Sequence, residues 1–253
     1  MSIKKHQVKS KLAVAYVLEN TPQLRCFIPE TELLNKISFT RMIDEYDILY
    51  LKPDRGRKSR DIIWIKRLFD PQQYILCRSY SEEQKEFKSK SSLWLAVKEI
   101  ISGTKYIIQQ GIDSKTAAQR HFDLRCHVLR VNGKWVVGGI CARLGAPEKF
   151  VTTSHHGGTP TLIEILLNQH LNYSREEENE IMQRLHKCIL AAANAISPMY
   201  PNLKEFAVDI GIDPEKRIWI FEVNIEPLIR GNFKLLPDKT MYRLICSLRK
   251  IAK

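Results

Sequence analysis

The chain has no CxxC pair, no low-complexity linker, no internal repeat and no apolar run near the roughly 20 residues a membrane-spanning helix needs. Its six cysteines (Cys26, Cys77, Cys126, Cys141, Cys188 and Cys246) are scattered without metal-finger spacing, which argues against a disulfide scaffold or zinc ribbon and for a reduced, cytoplasmic setting. No catalytic thiol is indicated. The basic start, MSIKKHQVKSKLAVAYVLEN, leads into a short apolar run at residues 12–18. It lacks a small-residue cleavage site and reads as an ordinary strand or helix start. Acidic residues are also scarce, with 28 Asp+Glu against 40 Lys+Arg, so the formal charge is +12 and anionic partners are favoured. Nucleotide phosphates, nucleic acid and acidic surfaces all satisfy that charge. Nucleic acid is the weakest of them, because no basic strand is studded with aromatics.

What is present is a core. At 253 residues and 44% hydrophobic, the sequence suits one α/β domain or two small lobes. Residues 47–52, 62–68 and 74–80 read as strands, the last two joined by the turn FDPQQ. Ser91-Ser92 caps a helix over LWLAVKEII that stops at Gly103, and KYIIQQ returns as a strand. LRCHVLRV and KWVVGGICARL flank Asn132-Gly133, a type I′ hairpin signal. Ser174 to Glu177 forms a capping box, with Ile181, Leu185, Cys188, Ile189, Ala192 and Ile196 following at helical spacing. EFAVDIGI and RIWIFEVNI make a last hairpin around Asp213-Pro214. Hairpin-grouped strands with few helices between them indicate an α+β protein.

The last hairpin carries the chemistry. Glu222 and Asn224 stand two apart and share one strand face, with Trp219, Phe221, Val223 and Ile225 expected on the other. A turn at Asp213-Pro214 sets Asp209 roughly opposite Glu222. Facing carboxylates repel unless a cation sits between them, and oxygen-only ligation by few residues suits a nucleotide-bound Mg²⁺. An edge strand with a solvated polar face is the other reading.

Phosphate-side candidates lie elsewhere. LYLKPDRGRKSRDIIWI places Lys52 at a strand end before a basic turn around Gly56, a phosphate-holding arrangement that an exposed basic loop would also produce. Asp123 and Arg125 share a strand face, either as a structural ion pair or with Arg125 free for carboxylate or phosphate oxygens. A simple register would leave Arg143 on the opposite face unless Gly138-Gly139 makes a bulge. His155-His156-Gly157-Gly158 before Thr159-Pro160 reads as a loop entering a helix N-terminus that can receive an anion.

Taken in order, LKPDRG, YIIQQGI, FDLRCHV, ARLG, TTSHHGG, AVDIGID and FEVNIEP resemble the ATP-grasp superfamily, in its YheC/YheD-type members associated with endospore coats of spore-forming bacteria. The similarity runs from about residue 27 to about residue 233. It implies two α+β lobes with antiparallel sheets gripping ATP. Residues 27–103 would form the smaller lobe with a phosphate lid, and residues 104–253 the larger one with hinge, arginine hairpin and metal hairpin. The resemblance implies that a carboxylate is activated as an acyl phosphate and captured by an amine, with an amino acid or peptide among the substrates. Lys52 and Gly56 would then meet phosphates, and Gln109, Gln110, Gly111 and Ile112 would be the hinge beside adenine. Arg125 and Arg143 would stabilise the transferring group, and Asp209, Glu222 and Asn224 would hold Mg²⁺.

Three departures stand out. The family's lid resembles KPxxGSxGxGI, whereas Ser59 and Asp61 occupy its later glycine positions here. Thr153 stands where an Asn is expected. The resemblance leads one to expect that most of the N-terminal domain usually preceding the grasp core is lacking, with part of the acceptor site missing or supplied by a partner protein. A catalytically degenerate nucleotide-binding or structural spore coat-associated protein is the alternative to a ligase.

Overall fold

The computed structural model describes residues 10–56, 59–81, 83–225 and 227–252. The first nine residues, with most of the basic start, and Arg57 and Lys58 of the basic turn lie outside them. The apolar run near the start is a helix, α1 (Lys11–Glu19), whose Ser10 cap accepts from the Ala13 amide. Asp54, 2% exposed, reinforces that helix start from a distant part of the chain. One of its carboxylate oxygens accepts from the Ser10 hydroxyl at 2.8 Å and the Leu12 amide at 3.0 Å. A carboxylate at a helix N-terminus satisfies orphan N–H groups and the macrodipole together.

Six antiparallel strands form the first sheet, in the order β1-β6-β2-β3-β4-β5. They are β1 (Thr31–Leu33), β2 (Ile48–Pro53), β3 (Ile63–Phe69), β4 (Gln72–Arg78), β5 (Gln84–Phe87) and β6 (Tyr106–Gln110). Two helices cover one face: α2 (Lys36–Glu45), with an Asn35/Ser38 capping box, and α3 (Lys90–Ile101). The cap of α3 is Ser89, not the Ser91-Ser92 pair, which lies inside the first turn. Leu49, Leu51, Ile63, Ile65 and Ile108 pack against Phe39, Met42 and Leu93 beneath these helices. Period-2 alternation therefore turns Tyr50, Lys52, Ile107 and Gln109 to the other, open face. Strand β6, leading to the hinge, pairs between β1 and β2, so the expected boundary at 103/104 falls before a strand of this first sheet.

The second sheet has the order β11-β10-β7-β8-β9 and is also antiparallel. It comprises β7 (Phe122–Val131), β8 (Lys134–Leu144), β9 (Thr159–Leu162), β10 (Glu205–Ile212) and β11 (Ile218–Asn224). One face is covered by α5 (Arg175–Ile196), whose predicted apolar stripe is at most 2% exposed along its length. At about 1.5–3 kcal/mol per fully buried aliphatic side chain, Ile181, Leu185, Ile189 and Ile196 outweigh the exposed Glu180–Arg184 pair on the same helix. The opposite face carries Asp123, Arg125 and His127. It is partly roofed by residues 229–236 and by α6 (Thr240–Ile251), through Leu129, Cys141, Ile229, Phe233, Leu236 and Ile245. α4 (Ile163–Ile165) is a single turn after β9.

Two irregularities set which residues face the cleft. The β7–β8 register shifts beside Gly138, where a Cβ would lie 2.6 Å from Leu129 Cδ1. The bulge brings Arg143 opposite Asp123 and Cys141 opposite Arg125, so both arginines share one face. A second shift between Asp209 and Ile210 pairs Asp209 with Glu222 and Ile210 with Ile220. Phe221 is the extra residue. Ile218 and Ile220 are in the α5-side core, yet so is Val223, and Phe221 instead lies across Gly211, where a Cβ would meet its ring at 2.1 Å. The expected strict alternation of Trp219, Phe221 and Val223 on one face is thereby corrected.

The glycine pair also differs from expectation. Gly157 has φ 79, and Gly158 passes so close to Thr152 that a Cβ would lie 1.9 Å from its carbonyl oxygen. The chain runs from this pair directly into strand β9, so no helix N-terminus receives an anion there.

Candidate active site

Between the open faces of the two sheets lies a cleft of about 850 Å³. The segment expected to be the hinge, residues 109–112, enters it from β6. Gly111 has to be glycine because a Cβ would stand 2.3 Å from Ile48 Cγ2, and its amide donates to the Ile48 carbonyl at 2.8 Å. The Ser114 hydroxyl then donates to the Phe122 carbonyl and accepts from the Ile212 amide, fixing the exit of the hinge to the second sheet.

Lys52 sits on the first-sheet side. Its ammonium donates to Gln109 Oε1 at 2.6 Å, while Gln109 Nε2 donates to Thr31 Oγ1 at 2.9 Å. Burial pulls the lysine pKa down to about 8; Glu222 opposes that shift and Lys11 adds to it. Gln110 turns away to β1, where its side-chain oxygen accepts from the Glu30 amide at 3.3 Å.

On the second sheet Asp209 is the hub. Arg143 Nη2 lies 3.0 Å from Asp209 Oδ2, Asn224 Nδ2 donates to the same oxygen at 3.1 Å, and Arg125 Nε approaches Oδ1 at 3.0 Å. That last approach lacks hydrogen-bond alignment, so Asp209 Oδ1 and Arg125 Nε are both buried without a hydrogen bond. Of the two readings for Asp123 and Arg125, the mutual ion pair is not the one formed. Asp123 instead grips Arg143 through two bonds, at 2.6 and 2.5 Å, and accepts from the Thr152 hydroxyl at 2.8 Å. Burial opposes the charge on Arg143, but Asp123 and Asp209 override it and hold its pKa above the ordinary value. Cys141 lies between these arginines in the sheet, yet burial pushes its thiol up to about 12, which removes it as a nucleophile.

Glu222 faces Asp209 across the hairpin, and its Oε1 lies 3.5 Å from Lys11 Nζ. Among the described residues no three His, Cys, Asp or Glu side chains converge as a metal cluster. The local donors are two carboxylates and an amide. This oxygen-only set, with the orphaned buried Oδ1 of Asp209, fits a hard cation that takes its remaining ligands from phosphates and water.

Sequence reasoning missed Lys11. It donates to the Gly56 carbonyl at 2.9 Å while reaching toward Glu222, so it joins the basic turn to the β10–β11 hairpin. A signal existed: α1 has no acidic residue in its first turn, and a lysine there opposes the helix dipole, so some other contact has to hold it. Gly56 has ordinary φ, whereas Ser59 and Asp61, at the family's glycine positions, adopt φ 54 and 57. Left-handed backbone stands here on residues that accommodate it less easily than glycine does.

The chain matches the YheC/D like ATP-grasp family over residues 2–249. It is similar to the endospore coat-associated protein YheD of Bacillus subtilis (strain 168), at 26% identity over 230 residues, covering 86% of this chain and 48% of that protein. Among solved structures it is similar to the ADP complex of PurK, N5-carboxyaminoimidazole ribonucleotide synthetase. That likeness has a TM-score of 0.50 and 13% identity, covers 90% of this chain and 47% of that one, and shows the fold. The chain spans about half the length of each of these relatives. Its two antiparallel sheets and the family match across nearly its whole length agree: the chain belongs to the YheC/D like ATP-grasp family.

Proposed function

We propose that the chain is an ATP- and Mg²⁺-dependent ligase that activates a carboxylate as an acyl phosphate and passes it to an amine. The observation that carries this reading is the meeting of Lys52, Arg125, Arg143, Asp209, Glu222 and Asn224 in one cleft between the two sheets. Lys52 offers a point charge to phosphate oxygens, and Gln109, Gln110, Gly111 and Ile112 form the adenine-side hinge. Arg125 and Arg143 neutralise charge that develops on the transferring group. Positioning and electrostatics of this kind supply most of what phosphoryl transfer requires. Asp209, Glu222 and Asn224 would hold Mg²⁺, which supplies charge neutralisation to the phosphates when bound. With Asp209 given over to a cation, Arg125 would be left for substrate oxygens, while Asp123 would keep Arg143 in position. Spore association, as in the YheD name, belongs to the same proposal, as does a partner protein that completes the acceptor side.

Calorimetry with MgATP tests this on wild type and Glu222→Ala. Wild type should bind, and the variant should lose at least about tenfold, since one carboxylate ligand to a partly buried cation is at stake. No binding by wild type sinks the ligase reading, and equal binding by both removes Glu222 from the metal site. The alternative, a nucleotide binder without turnover, is favoured by the left-handed Ser59 and Asp61 in the lid. Release of ADP in the presence of amino acids or peptides separates the two.

A further inference from the structure

The cleft does not end at the metal hairpin. Beyond Asn224 it continues into a space walled by residues 227–232 and by Tyr242, Cys246 and Arg249 of α6. The two halves differ in charge. The cleft carboxylates Asp123, Asp209 and Glu222 all lie on the hairpin side, where Arg143, Arg125 and Lys11 already stand against them. Among the described residues the far half presents Arg230 and Arg249 and no carboxylate.

Arg249 is built into its place. Its Nε donates to Glu205 Oε2 at 2.7 Å, and its Nη2 donates to Glu205 Oε1 at 3.1 Å and to the Pro227 carbonyl at 3.2 Å. Glu205 is held from behind by His127, 0% exposed, whose Nε2 lies 3.1 Å from Oε2. One edge of the guanidinium is thus locked against the sheet. Its remaining nitrogen, Nη1, is the donor left over for a ligand, with a side chain 34% exposed. Arg230 is exposed and forms no ion pair among the described residues. Tyr242 and Asn232 add neutral hydrogen-bonding groups, and Leu228 and Ile229 add apolar wall.

We propose that this far half is the acceptor subsite and that it takes an acidic amino acid residue, free or within a peptide, whose side-chain carboxylate is gripped by Arg249 and Arg230. The inference rests on the ligase reading above and names its substrate class. A guanidinium with one edge already fixed loses little freedom on binding a second carboxylate, and the resulting hydrogen bonds are charge-assisted. A basic side chain in the same place would meet Arg230, which has no ion pair among the described residues, and Arg249, whose charge is offset by Glu205 alone.

The test uses the protein saturated with Mg²⁺ and a non-hydrolysable ATP analogue, titrated calorimetrically with tri-L-glutamate, tri-L-glutamine and L-glutamate. Triglutamate should bind about tenfold or more tighter than triglutamine, the scale of one charge-assisted hydrogen bond. Arg230→Gln combined with Arg249→Gln should erase that preference while affinity for the nucleotide analogue stays within about twofold of wild type. Arg230→Gln alone, at an exposed side chain, should halve the preference or more and guards against misfolding of the double variant. Binding of L-glutamate as tight as that of the peptide assigns the subsite to a free amino acid, and weaker binding assigns it to a peptide; both support the proposal. Equal affinity for the two peptides, binding of neither, or a preference that survives in the double variant overturns it. Failure of the ligase reading would instead appear in the separate nucleotide titration of wild type.

Discussion

Lys52 carries the clearest pH signature in the cleft. An unburied lysine stays charged to about pH 10, but this ammonium loses its proton near pH 8 because burial outweighs the pull of Glu222. A phosphate ligand prefers the charged form. Below pH 8 the free protein already has it, whereas above pH 8 binding has to take up a proton. Nucleotide affinity should therefore be level up to about pH 8 and fall as pH rises, by up to about tenfold per unit, while Lys52→Met binds weakly with no such slope. A flat wild-type profile from pH 7 to about pH 9.5 would remove Lys52 from the phosphate site. For folding the sign is the reverse, since the depressed lysine pKa costs stability while the group is charged, and that cost is relieved as pH rises from about 8 toward 10. Individual identities in the site were legible in sequence because each polar residue interrupts an apolar strand. Their partners were not. Whether Arg125 meets Asp123 or Asp209 depends on which strands are neighbours, and the middle hairpin and the last one are about eighty residues apart.

Among the strands and loops, the lid contrasts with the bulges. Gly138-Gly139 signalled a bulge in sequence, because glycines inside a strand pattern have few other uses, and the shift is there. The Phe221 bulge gave no such sign: its glycine, Gly211, sits on the partner strand, and a single extra residue inside an apolar run looks like continued alternation. The Gly157-Gly158 pair misleads for a related reason. Glycine demanded by close backbone approach looks the same in sequence as glycine that ends a loop before a helix. In the basic turn proposed as a lid the problem is inverted, since the backbone bends where glycine is missing. Left-handed φ at Ser59 and Asp61 costs of the order of 1 kcal/mol each. Ser59→Gly with Asp61→Gly should raise the melting temperature by a few degrees and tighten MgATP binding, part of the gain being offset by the extra freedom of the unfolded chain. A lowered melting temperature with unchanged affinity would detach these positions from the phosphates.

Across the molecule, the two sheets were readable as hairpins and the two cores as periodic stripes. How the open faces meet was not, because cleft contacts join residues far apart in the chain. Phe150, on the loop after β8, stacks on Trp64 with ring centroids 6.0 Å apart and 15° between planes, and it leans on Tyr50 at 6.2 Å. His156 of the same region meets Tyr80 at 4.5 Å. These side chains join the second sheet's loop to the first sheet. Aromatic pairs contribute about 0.5–1.5 kcal/mol beyond their burial, a bias against any arrangement in which these rings part.

That fastening has a kinetic consequence. If opening precedes entry, the observed binding rate should level off as nucleotide concentration rises, at a ceiling equal to the opening rate. Trp64 sits in the latch itself, so stopped-flow tryptophan fluorescence can follow the event. Phe150→Ala should lift the ceiling several-fold while changing the final affinity much less, whereas a rate that climbs linearly in the wild-type protein would show that the door stands open. The slow step in this molecule would then be admission to the cleft, set by one phenylalanine in its wall that leans on Tyr50, the ring beneath the Lys52 ammonium.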